Sequence, residues 1–502
     1  MKATKDGSKV ESSVVGDDDN RQNGFLPPKY MGTIADKEDM SVMGKSQVLR
    51  RNFRLLTSGL TDGGTAGLIW GFLIVTAGVS LVFSSLAEMS SMAPTSGGQY
   101  HWVSEFAPPS CQRFLSWLCA TGWQCAIVTI AFLAGTIIQG LVVLNYENYV
   151  FEAWHGTMIT IAITAFSVLF NTFLAKRLPL VEALILVIHI TGLFIIIIPL
   201  WVLGPRNNAE AVFTEFNNSG GWMSSGTATM VGLSTTITAM IGYDCPVHMS
   251  EEVNDASETV PKAMMTALGI NALLGFVMLI TICFTLGDVN DVLASPTGYP
   301  FIQVFYNTTQ SLPGTNAMTS VIIILLVSCT ITEVATASRQ LWSFARDKGL
   351  PFSSFFSHVT PGWNIPLNAV IVSLIITVLL SLINIGSDVA LFAIVSLTIT
   401  SLMTSYIITI SCLVIKRLRG QPLPPHRWSL GKYGLAINIG ALAFLIPLFV
   451  FAMFPLTAEV EPATMNWSVV MYGGMLIFST AYYWLGGRHT YIPPVALVKR
   501  DL

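Results

Sequence analysis

The feature that most constrains this chain is a series of apolar runs, each about as long as a lipid bilayer is thick. A hydrocarbon layer of about 30 Å is crossed by roughly 20 helical residues. Inside it only helices and closed barrels can satisfy their own backbone polar groups. The runs here are long and continuous, without the alternation of a barrel strand, which selects helices. A hydropathy window places eleven spans at 67–86, 114–144, 157–175, 180–203, 226–247, 263–286, 315–340, 366–384, 388–415, 433–455 and 467–485. Only 11% of the residues are charged, less than half the share of about 25% in soluble domains. The expected fold class is therefore an all-α polytopic membrane protein. Residues 1–54 are expected to form a disordered cytosolic tail, 55–487 the transmembrane domain, and 488–502 a cytosolic C-terminal tail. The first 54 residues are polar and mixed in charge, so no cleavable leader is expected there.

Charge tests the map. Translocating Lys and Arg is costly, so cytoplasmic loops collect them. Taking loops alternately, one set carries 15 Lys and Arg and the opposite set only Arg206. The C-terminus is expected in the cytosol. The sequons at Asn217, Asn307 and Asn466 all fall in or beside loops that the charge rule places outside, where glycosylation is useful. The remaining 10 Lys and Arg lie in the N-terminal tail, with Arg50, Arg51 and Arg54 nearest the membrane, so this end also belongs inside. Eleven spans cannot put both ends on one side. Three resolutions stand at this point: the tail is forced outside, 55–65 makes a re-entrant dip, or one span is absent.

Once the basic residues are assigned to topology, a net charge of −3 leaves no face for nucleic acid. The seven cysteines form no CxxC, which argues against a disulfide or zinc framework. The seven histidines are scattered and no HExxH occurs, so a metal-dependent membrane enzyme is disfavoured, and no cofactor is expected.

One span cannot be a continuous helix. Residues 236–252 read TITAMIGYDCPVHMSEE, with Gly242 and Pro246 on either side of Asp244. Glycine loosens a helix, while proline removes a donor and clashes with the preceding turn. Freed backbone groups at membrane depth are tolerated only where they line a cavity, and discontinuous helices of this kind build the substrate sites of secondary transporters. A proline kink with Asp244 beside a water-filled vestibule is the alternative.

Several segments resemble the fungal amino acid/choline transporter family, which lies within the amino acid, polyamine and organocation superfamily. They are SLAEMSSMAPTSGGQYHWVSEFAPP from Ser85, FNTFLAKRLPLVEALILVIHI from Phe170, AVFTEFNNSGGW from Ala211, HMSEEVNDASETVPKAM from His248 and SRQLWSFARDKGLPFSSFF from Ser338. The resemblance implies a LeuT-like inverted five-plus-five repeat with two extra helices, whose first and sixth spans are broken and hold substrate between them. It implies a proton-driven plasma-membrane permease for a small amino acid, GABA, choline or a polyamine, with lipid as its other partner. Here only four spans precede the break at Gly242, and the chain passes from Asn52-Phe53-Arg54 almost directly to Gly59-Leu60-Thr61. The family's first span is expected to be missing, which agrees with the charge parity. A transport-defective relative or a nutrient sensor is the competing expectation.

The resemblance assigns substrate contact to Ile241, Gly242, Tyr243, Asp244 and Cys245 at the break. Asp244 either attracts an amine or caps neighbouring N–H groups. Trp123 and Gln124 offer an aromatic wall and a polar contact, or ordinary packing. Ser396 and Thr398 line the pathway, or pack helices together. His189 and Glu182 share one helix face seven residues apart. With Glu333, deep in an apolar run, they are the candidates for proton coupling, because ionisable groups inside a membrane are costly and usually functional. Glu251, Glu252, Glu258 and Lys262 are read as an inner loop and helix start.

Overall fold

The computed structural model describes residues 58–120, 122–146, 148–361, 365–386, 390–461 and 465–497. The N-terminal tail, Arg50 to Arg54 and residues 498–502 lie outside the described residues. Helices account for the architecture, and one isolated antiparallel bridge joins Asp62 to Asn218.

The principal elements are α1 (Gly64–Met92), α2 (Gln99–Phe106), α3 (Gln112–Leu118), α4 (Trp123–Asn145), α5 (Ala153–Phe173), α6 (Leu178–Leu203), α7 (Ser225–Met240) and α8 (Cys245–His248). They continue as α9 (Ala256–Thr285), α10 (Pro300–Thr309), α11 (Leu312–Arg346), α12 (Leu367–Gly386), α13 (Ala390–Leu418), α14 (Gly434–Phe451) and α15 (Ser468–Tyr482). Among the described residues, nine helical segments are long and apolar enough to cross a membrane. Two of the eleven expected spans are shorter than that: α7 has 16 residues and α15 has 15. α7 stops at the expected break, and α15 runs on as a π-helical turn at Tyr483–Gly487. The span expected at 114–144 is interrupted between α3 and α4, where Gly122 (φ 132) leads into α4. A Cβ on Gly122 would stand 3.0 Å from Ser401 Cβ on α13, so this corner closes only with glycine.

α5 turns small and polar residues inward and large apolar residues outward. On α5 the buried face is Gly156, Thr160, Thr164, Ser167 and Asn171. The Thr160, Thr164 and Ser167 hydroxyls donate to the carbonyl four residues back, and Asn171 donates to Ile331 on α11 at 2.8 Å. Small and hydroxylated residues let helix backbones approach closely where lipid offers no hydrophobic gain from association. The other face of α5 exposes Trp154, Met158, Phe166, Leu169 and Phe173. The chain is thus a multi-pass membrane protein.

α1 packs against α7, α9 and α14, α4 against α11, and α13 against α2, α4 and α14. At the end of α1, Glu88 is 1% exposed and pairs with Arg417, which is 14% exposed, at the end of α13. Its second oxygen accepts the backbone N–H of Leu430 at 3.0 Å. Ser91, one turn on, accepts the backbone N–H groups of Arg427 and Trp428 at 3.0 Å each. One acidic helix end therefore pins the whole connection between α13 and α14. Removing one partner of a buried ion pair strands the other charge and costs about 3 kcal/mol or more. Arg417→Met is expected to lower the melting temperature of the purified protein measurably, and Glu88→Gln in the same chain is expected to recover part of that loss.

Candidate functional site

The break lies between α7 and α8. Ile241 leaves α7 with extended torsions (φ −102, ψ 156), and Gly242 takes φ +96, a region that L side chains avoid. The chain then turns, with Cys245 N–H donating to Gly242 O at 3.1 Å and Val247 N–H donating to Asp244 O at 2.9 Å. Pro246 sits in the first turn of the short α8, where its missing N–H costs nothing. A Cβ on Gly242 would meet nothing within 4 Å, so the unwound segment borders open space.

Ile241, Gly242, Tyr243 and Cys245 are half-buried, and Asp244 is fully buried. Both Asp244 oxygens are engaged: Tyr406 on α13 donates to Oδ1 at 2.5 Å, and Gln99 on α2 donates to Oδ2. The carboxylate thus ties the break to two other elements. Phe83 on α1 lies edge-on to Tyr243 (centroids 5.4 Å apart) and to Tyr406 (5.8 Å). Glu333 on α11 reaches the break through the Cys245 thiol, with Sγ 3.6 Å from Oε1, while its Oε2 is buried and has no hydrogen-bond partner.

The structure does not gather every expected residue at the break. Trp123 is buried and stands edge-on to His248, with centroids 5.0 Å apart, so it packs beneath α8. Gln124 donates to the Ala337 carbonyl at 3.1 Å. Thr398 meets Thr129 at 3.0 Å and joins α13 to α4; Ser396 is half-buried one turn before Thr400, whose hydroxyl bonds its carbonyl. Glu182 is exposed and His189 half-buried on α6, which packs against α9, α10 and α11 but has no contact of that kind with α8. Asn217 Nδ2 donates to Leu60 O, Asn307 is exposed on α10, and Asn466 Nδ2 is held by the Ala452 and Phe454 carbonyls at 3.0 and 3.1 Å.

Four residues at the break were not read from the sequence: Gln99, Tyr406, Phe83 and His248. The polar SGGQYH stretch after α1 was the one available sign. Gly98 (φ +55) begins α2, and a Cβ there would stand 2.7 Å from the His248 ring. The loop can therefore press onto α8 only with glycine at this position. Beyond α8, Glu251 and Glu252 pair with α11. Arg346 grips Glu251 at 2.8 and 2.9 Å, and Arg339, itself buried, meets Glu252 at 2.9 Å. Outside the spans, paired Arg346 holds the Glu251 carboxyl below its usual range against the opposing effect of burial.

A bundle of apolar helices around one broken, polar segment is the architecture of a membrane transporter. A family model described as amino acid permease matches residues 52–476, and the chain belongs to that family. It is 31% identical over 423 residues to a Macrophomina phaseolina protein named as an amino acid/polyamine transporter, covering 82% of this chain and 93% of that one. It is 30% identical over 439 residues to the choline transporter of Saccharomyces cerevisiae, covering 86% and 77%. It is 28% identical over 489 residues to an Arabidopsis thaliana amino-acid permease, covering 92% and 94%. The protein is therefore a transporter, and not an enzyme.

Tyr406→Phe removes one donor from a fully buried carboxylate. That costs about 1–3 kcal/mol, so the purified variant is expected to melt earlier than the parent, with Tyr243→Phe as the milder control.

Proposed function

We propose that this permease is a secondary active transporter of a small amino acid or a related amine, such as GABA, choline or a polyamine, at the plasma membrane. It works by alternating access around the break and is driven by protons, with its C-terminus in the cytosol. The observation that carries this reading is the unwound 241–244 segment, open on the Gly242 side and surrounded by buried polar groups within an otherwise apolar bundle. An interior carboxyl with an unpartnered oxygen is expensive to ionise, which suits Glu333 to exchange a proton. His189 and Glu182 lie farther from the break and are the weaker candidates.

The competing reading is that this chain is transport-defective because the family's first span is absent, and one observation favours it. Thr61 and Gly63 hydrogen-bond to Ser219 and Asn217 in the loop that charge places outside, so the chain enters α1 from that side. A helix between Arg54 and Gly59 would complete eleven spans to twelve and bring the basic tail inside.

Expression in a yeast strain lacking its own amine permeases tests both readings. Accumulation of labelled GABA, choline or putrescine, abolished by a protonophore, is expected of a working transporter. Glu333→Gln is then expected to lower uptake at least tenfold and flatten its pH dependence, while His189→Gln leaves the profile in place. Absence of uptake, together with a native transcript that encodes a further apolar segment between Arg54 and Gly59, would establish the defective reading.

A further inference from the structure

The sequons at Asn217, Asn307 and Asn466 lie in or beside loops that charge places outside, and the fold treats the three side-chain amides differently. N-glycosylation joins the asparagine Nδ2 to the anomeric carbon of an oligosaccharide carried on a lipid diphosphate. The N–C bond forms as the C–O bond to the diphosphate breaks; the diphosphate leaves with that electron pair, and the nitrogen gives up one of its two protons. A modified asparagine therefore keeps a single N–H and carries a bulky, solubilising group on the same atom. Transfer takes place on the emerging chain, so the fold acts afterwards, by admitting or refusing the attached sugar.

Asn466 refuses it. Both protons of Nδ2 are spent, on Ala452 O at 3.0 Å and Phe454 O at 3.1 Å, and Oδ1 accepts the Ser468 N–H at 3.2 Å. With one N–H gone, one of the two carbonyl bonds is lost. The site also stands against the membrane: α15 has 15 residues and the π-helical turn after it five, so a crossing of roughly 20 residues begins at Ser468. Asn217 is bound into the turn before α1. Its Nδ2 donates to Leu60 O at 3.3 Å, its Oδ1 accepts the Ser219 hydroxyl at 3.0 Å, and its carbonyl accepts the Gly63 N–H at 2.8 Å. A Cβ on Gly64 would come within 2.9 Å of Asn217 N, so the two segments are in close contact, and a sugar on Nδ2 would have to part them.

Asn307 differs on each count. It is exposed on α10, whose other face buries Ile302, Val304, Phe305 and Thr308. Gln303 Nε2 donates to Asn307 Oδ1 at 2.8 Å and Gln310 Nε2 to its carbonyl at 2.9 Å, while Asn307 Nδ2 donates to nothing among the described residues. The turn from α10 into α11 also stands clear of the membrane. Counting roughly 20 residues back from Arg339, toward the cytosolic end of α11, reaches Thr319. Residues 312–318 therefore project about 10 Å beyond the hydrocarbon. Thr309, two residues after Asn307, lies level with them, its hydroxyl 3.3 Å from that of Thr315. We infer that the chain carries its N-linked oligosaccharide at Asn307, and at neither Asn217 nor Asn466.

Expression of the full chain in a fungal host tests the assignment. Peptide N-glycosidase is expected to change the gel mobility of the parent by one step and to leave aspartate in place of asparagine at position 307, read by peptide mass. Ser219→Ala, Thr309→Ala and Ser468→Ala each remove one sequon while keeping its asparagine. The Ser468 hydroxyl is buried without a hydrogen-bond partner, so the fold loses little with it. Thr309→Ala is expected to abolish the mobility change, as is Asn307→Gln, and the other two variants to retain it in full. A parent whose mobility does not change, a change that survives Thr309→Ala or Asn307→Gln, or one lost in Ser219→Ala or Ser468→Ala would overturn the inference.

Discussion

The arrangement depends on how one carboxylate is held. Asp244 stands where the helix has unwound and is fully buried. Tyr406 from α13 and Gln99 from α2 supply donors to its two oxygens, and through them the break is fixed to two elements distant in sequence. Without that fixation, the open torsion at Gly242 and the short α8 would have little to define them, because a four-residue helix has almost no stability of its own.

From this point the structure runs toward the charged end of the bundle. Immediately after α8, Glu251 and Glu252 are clamped by Arg346 and Arg339 of α11, and Glu251 also accepts the Ser96 N–H at 3.2 Å. The same α11 carries Glu333 two turns before Arg339 and accepts Gln124 at Ala337. α8 is therefore tied to α11 through paired charges at one end and the Cys245 thiol at the other.

The helical class, the family and the position of the break were legible in the sequence because each rests on a local pattern. Apolar length marks a span, and Gly-Tyr-Asp-Cys-Pro cannot continue a helix whatever surrounds it. The residues that hold the break were not legible. Tyr406 sits in an apolar run where nothing distinguishes it from a packing residue, and Gln99 and Asp244 are 145 positions apart. Trp123 illustrates the opposite case: its composition fits a cation wall, yet its neighbour His248 covers it. The two short spans, α7 and α15, escape a length criterion because one stops at the break and the other changes to π-helical winding.

If the break lines a ligand pathway, Cys245 reports on it directly. With the other six cysteines replaced by serine, the purified full chain would be treated with a small charged methanethiosulfonate, with and without putrescine. Cys245, half-buried beside Glu333, is expected to react in the folded protein and to be slowed severalfold by the amine. A Cys245 that reacts only after denaturation, or that reacts at the same rate whatever amine is present, would contradict it.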